Sequence, residues 1–126
     1  MAYEILITAG AVSAPAQLND SKTAEAIYAA LPLESRVNTW GEEIYCNIPV
    51  MVDLENDFAK DVVELGALGY WPQGPAFCIF FGQTPVSTPE EIRPATAVNV
   101  IGKVKGDVEG FKTIKDGEKI KIVKES

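Results

Sequence analysis

Residues 76–82, AFCIFFG, limit the folds open to this chain more than any other stretch, because they are apolar on both parities. Successive side chains of a strand point to opposite faces, so a half-buried strand alternates apolar with polar. This one does not alternate, and a strand of that kind is buried on both faces. In a closed barrel one of those faces meets the core, and the other must be covered by something else. Phe77, Ile79 and Phe81 share one parity, Cys78 and Phe80 the other. Pattern alone leaves open which set fills the interior.

The rest of the chain supplies mostly short strands. YEILITA (3–9) alternates and is rich in Ile, and the small, turn-prone stretch after it, with Pro15, has room for a short second strand. DSKTAEAIYAALP predicts a helix over about 21–31: Asp20 or Ser21 caps it, Ala24, Ile27, Tyr28 and Leu31 form one face, and Pro32 stops it. SRVNTW and EIYCNIPVMV read as two strands around Gly41-Glu42, a pair suited to a type II′ hairpin, with Pro49 marking a bend or edge. DLENDFAKD reads as an acidic surface loop, and VVELGALGYWPQG as short extended segments ending in a Pro-Gly turn. QTPVSTPEEIRPA is a Pro-rich loop with room for a helical turn at Pro89–Ile92, and TAVNVIGKV is a strand. In DVEGFKTI, Val108, Phe111 and Ile114 are spaced as a short helix or turn, and DGEKIKIVKE is an Asp-Gly turn followed by an alternating edge strand. About seven or eight strands with one good helix predict a mainly β fold, a closed barrel or two-sheet sandwich with the helix plugging one end. The 126 residues contain no repeat and no linker, so a single domain over 1–126 is expected.

Composition narrows the chemistry. Hydrophobic residues make up 47% and charged ones 23%, which argues against disorder. A net charge of −7 disfavours nucleic-acid binding, and the C-terminal lysines, Lys115, Lys119, Lys121 and Lys124, are interleaved with acids and read as a solvated strand face. Histidine is absent, which removes imidazole bases, Ser-His or Cys-His pairs and His metal ligands. Cys46 and Cys78 lie in apolar runs and read as buried reduced thiols. Asp53, Glu55, Asp57 and Asp61 lack the order of a calcium loop, and no Gly-rich phosphate cradle is present, so no metal and no cofactor are expected. Glu4 interrupts the N-terminal apolar run, which is therefore not read as a signal peptide, and no run is long enough for a membrane-spanning helix. An acidic, cytoplasmic protein without membrane contact is expected.

The hairpin at 36–47, RVNTWGEEIYCN, offers a candidate site. A two-residue turn pairs Trp40 with Glu43, Asn38 with Tyr45 and Arg36 with Asn47 on one side, and points Val37, Thr39, Ile44 and Cys46 inward. Two readings of the outer side are open: ordinary cross-strand pairing, or a ligand groove with aromatic walls and Arg and amide donors. Tyr70 and Trp71 of GYWPQG are either a further wall of that groove or caps on a barrel end. Glu42 and Glu43 are adjacent, so they do not make a paired-carboxylate acid–base device.

The order GPAFCIFFG, Pro-rich loop, AVNVIGKVKGDVEGFKTI, DGEKIKI resembles the end of the cyclophilin barrel. With VNTWGEEIYCNIPV, GYWPQGPAFCIFFGQTP and IRPATAVNVIGKV, nearly the whole chain is similar to small bacterial and archaeal cyclophilin-like proteins of unassigned function. The resemblance implies a closed eight-stranded barrel with a helix near each end. Cyclophilins are peptidyl-prolyl isomerases whose site lies on the outside of the barrel, where an Arg donates near the twisting amide and an apolar pocket holds the proline. On that basis Arg36 is the candidate catalytic residue. Asn38, Trp40, Glu43, Tyr45, Tyr70, Trp71, Phe77 and Cys78 are the candidate ligand-binding residues. The chain departs from the pattern where Cys78 replaces the second pocket aromatic, and where the loop at 83–95 lacks the family's His and Trp. The reading is therefore a barrel binding a small molecule or a short, proline-containing peptide in an outer groove. The alternatives are an atypical isomerase using Arg36, and a non-catalytic interaction protein, for instance a homodimer formed through exposed aromatics.

Overall fold

The computed structural model describes residues 3–125, so Met1, Ala2 and Ser126, at the limits of the expected domain, lie outside the described residues. Ten strands among them form one antiparallel sheet that curls into a nearly closed barrel. They are β1 (Tyr3–Ala9), β2 (Val12–Leu18), β3 (Leu33–Arg36), β4 (Asn38–Thr39), β5 (Glu43–Asn47), β6 (Ala59–Lys60), β7 (Ala67–Trp71), β8 (Ala76–Phe80), β9 (Val98–Val104) and β10 (Lys119–Lys124). A helix, α1 (Lys22–Ala30), and a 3₁₀ turn, η1 (Glu109–Thr113), complete the fold. Round the barrel the order is β3-β10-β1-β2-β9-β7-β8-β5-β4, with β6 attached to β9.

β3 and β4 are two halves of one run that changes partner at Val37. Up to Arg36 the run pairs with β10, and Val37 still exchanges bonds there, its N–H donating to Glu118 O at 2.8 Å. From Asn38 it pairs with β5, in the register Asn38↔Tyr45 and Thr39↔Ile44. Counted as one strand, the run reduces the ring to the expected eight, and through it the barrel nearly closes. Because of the change, Arg36 faces Lys119 rather than Asn47. β10 is likewise not an edge, since it is paired on both sides, although its lysines are solvated as expected. Thr39, expected inside, is exposed at the rim, where its N–H donates to Asp116 Oδ1 at 2.9 Å.

Local chemistry accounts for the other elements. Ser21 caps α1 by accepting from Ala24 N, and Leu31, which precedes Pro32, is extended as that position demands. Ala24, Ile27 and Leu31 are buried against the barrel, while Tyr28 lies half-buried beside the Tyr3 ring at 4.5 Å. The acidic stretch at 53–61 is not all loop: β6 lies in it. Pro89–Ile92 forms no helical turn, and Ile92 instead makes an isolated bridge with Val63. At the other end of the chain, η1 buries Phe111 against Phe81, with ring centres 6.0 Å apart, and Val108 and Ile114 are buried with it.

Asn99 of β9 ties one end of the barrel together. It is fully buried, accepts from Glu55 N at 2.8 Å, and donates to Thr23 Oγ1 at 2.9 Å and Asp53 O at 3.0 Å. One side chain thus joins the barrel wall, the start of α1 and the loop before β6. On the same strand β9 carries a bulge: Leu68 pairs with Gly102 and Gly69 with Val100, leaving Ile101 as the extra residue. The glycine of the VIGKV motif is required there, since a Cβ on Gly102 would lie 2.0 Å from Gln17 O. Gly102→Ala is expected to cost at least about 3 kcal/mol, read as a fall in the urea midpoint with unchanged slope.

Candidate functional site

The strand register decides which face of β8 is outside. Tyr70 pairs with Phe77, and Leu68 with Ile79; all four are fully buried in the main core with Ile5, Ile7 and Ile101. Ala76, Cys78 and Phe80 therefore face outward, and all three are also buried. Their cover is a second apolar cluster with Val63, Ala67 and Val98, against which Tyr45, Trp71 and Ile92 pack. Gly69 leaves room for it, since a Cβ there would press on Val98 and the Phe80 ring at 3.0 and 3.2 Å.

Toward the hairpin this cover gives way to a concavity of about 250 Å³, lined by Trp40, Glu43, Tyr45, Trp71, Cys78 and Ala95. Three outward cross-strand pairs in register place its strand side chains. Tyr45 of β5 faces Cys78 of β8, Glu43 faces Phe80, and Trp71 of β7 faces Ala76. Trp40 comes from the hairpin turn. That turn closes with Trp40 N donating to Glu43 O at 2.9 Å and Glu43 N returning to Trp40 O at 3.2 Å. Gly41 has φ of +61° and Glu42 has no positive φ, as a type II′ turn requires.

The Pro-rich loop supplies the far wall and is built to hold its shape. Ser87 Oγ accepts from Thr84 N and Arg93 N, both at 2.9 Å, and Thr84 Oγ1 donates to Arg93 O. Trp71 is fixed at two points: its indole N–H donates to Thr96 Oγ1 at 2.6 Å, and Gly74 lies so close to its ring that a Cβ would come within 2.7 Å.

Of the expected site residues, Trp40, Glu43, Tyr45, Trp71 and Cys78 come together here. Tyr70 and Phe77 do not, because their parity turns them into the barrel; the Tyr70 hydroxyl donates to Val50 O and accepts from Val52 N. Arg36 lies on the half of its run that faces β10, and its guanidinium donates to Gly117 O at 3.1 Å. Asn38 sits opposite Tyr45, outside the lining. Ala95 was missed: it is a single small residue in a loop, with no periodicity to mark it.

Glu43 sets the electrostatics. Its side chain is outward, yet the residue is only 5% exposed. Burial pushes its carboxyl up to about 7, partly offset by the Cys78 thiol. Burial, and then the neighbouring Glu43, raise Cys78 well above the ordinary thiol range, and burial pushes Cys46 up to about 12. Both cysteines are free, buried and protonated at neutral pH, so neither supplies a thiolate nucleophile. Among the described residues no cluster of acids or cysteines is arranged to hold a metal ion, and no helix is long and apolar enough to cross a membrane.

The raised carboxyl links stability to pH. Between about 4.5 and about 7 the unfolded chain ionises Glu43 while the folded protein keeps it protonated, so this group lowers stability as pH rises through that window. Glu43→Gln is therefore expected to gain on the wild type across the window, by on the order of 3 kcal/mol in all, and to hold that gain above it. Urea unfolding of both proteins from about pH 4 to 8 checks this, and a difference that does not vary with pH would refute it.

The sequence profile described as Cyclophilin-like matches residues 3–123. Among solved structures, that of a hypothetical protein from Archaeoglobus fulgidus, determined in solution, is similar at 41% identity and a TM-score of 0.82, covering 98% of this chain and 95% of that one. No curated protein matches the chain.

Proposed function

Starting from a chain that belongs to the cyclophilin-like family, we propose that it is a binding protein whose outer-face concavity holds a small molecule or short peptide. One observation carries this reading: five side chains from three strands and a hairpin turn converge on one hollow outside the barrel. Cross-strand pairing alone would account for Tyr45 over Cys78. It does not account for Trp40 and Trp71 standing around a buried carboxyl with a braced loop opposite. Apolar walls with few polar groups are what small-ligand sites have in common.

The isomerase alternative draws nothing from the position of Arg36, whose guanidinium is bonded to Gly117 O and does not line the hollow. NMR titration with a library of metabolites and proline-containing peptides tests the reading. The expected shifts centre on Trp40, Tyr45, Trp71 and Ala95. Trp71→Ala should weaken any ligand found by about tenfold or more, as loss of an aromatic wall does, whereas Arg36→Ala should leave its affinity unchanged. Shifts confined to other surfaces would remove the reading.

A further inference from the structure

Resting on that reading, we propose that the concavity takes a small organic cation, an alkylated ammonium, held among the Trp40, Tyr45 and Trp71 rings with the Glu43 carboxylate as its counter-ion. The lining holds three aromatic rings, one acid, one thiol and one alanine, and neither Lys nor Arg. An anionic ligand would meet no positive group there, and would approach against a net charge of −7.

Where the described residues pair an acid with a cation, they do so at the surface. Glu42, one residue away, has Lys112 Nζ at 3.6 Å; Glu91 has Arg93 at 2.7 Å; Glu4 has Lys105. These are surface pairs. Glu43 is far more buried, and among the described residues no lysine or arginine forms an ion pair with it. A carboxylate taken out of water is costly unless a cation pairs with it, and here the room beside it is walled by aromatic rings. Aromatic faces attract cations, most strongly where water is excluded, and alkylated ammonium groups are the cations such walls suit best. Above about pH 7, where Glu43 ionises, a neutral ligand would gain from the walls but leave the carboxylate's charge unanswered.

The test compares choline with dimethylbutanol, its uncharged carbon isostere, by NMR titration of the wild-type protein at about pH 8, with sodium chloride matched throughout. Choline is expected to shift Trp40, Tyr45 and Trp71 and to bind about tenfold more tightly than the isostere, and Glu43→Gln should narrow that gap, leaving only the part due to the rings. Equal affinities of the two probes at these residues would overturn the cation while leaving the binding site in place. If neither probe moves Trp40, Tyr45 or Trp71, the cation is overturned, and the binding reading is decided by the library titration alone. The comparison on wild-type protein decides this even if the variant does not fold.

Discussion

The structure depends on β8 being dry on both sides. Its inner side chains, Phe77 and Ile79, are central to the barrel core, and its outer ones, Cys78 and Phe80, are as deeply buried. A barrel provides one interior only, so the outer face needs a second apolar layer. Val63, Val98 and the half-buried Ile92 supply it, and the bridge between Val63 and Ile92 fastens the two covering segments to each other. The hollow beside Cys78 is where the second layer ends and Trp40, Tyr45 and Trp71 take over as walls. The hollow is thus a consequence of how the strand is sheathed.

A polar joint complements this apolar one. Asn99 makes three side-chain hydrogen bonds to two segments remote in sequence, the start of α1 and the loop before β6, which fixes them in one arrangement because each lost bond would leave a buried group unsatisfied. Glu55, brought in by that joint, accepts from Lys22 N and Thr23 N at the start of α1, where backbone donors have no partner within the helix. The helix that closes the barrel end is held by a residue that a composition-based reading assigns to an acidic loop.

What the sequence made legible was local. The two-residue turn at Gly41-Glu42, the register of Asn38 with Tyr45, and the outward direction of Trp40, Glu43 and Tyr45 all follow from alternation and turn chemistry within a dozen residues. The family resemblance added the barrel. What stayed hidden needed partners far along the chain. The parity of β8 is invisible when both parities are apolar, and it is settled by Tyr70 facing Phe77 and Tyr45 facing Cys78. Arg36 was misplaced because its run changes partner at Val37, which alternation carries straight through. β6 escaped notice because two residues, Ala59 and Lys60, are too few to show a period.

Glu42 and Glu43 bring the two scales together. They are the same side chain one residue apart, and the turn and the pleat give them opposite surroundings. Glu42, at the second position of the turn, stays in water, accepts from Gln83 N at 3.3 Å and meets Lys112. Glu43, the first strand residue, is turned onto the outer apolar layer across from Phe80. Nothing in its own sequence neighbourhood asks for an acid there, and packing alone would be better served by an apolar residue of similar volume. A carboxyl that lowers stability at neutral pH, at the floor of a hollow walled by aromatic rings, is not explained by what holds the barrel together, and the ligand proposed above would supply the missing reason.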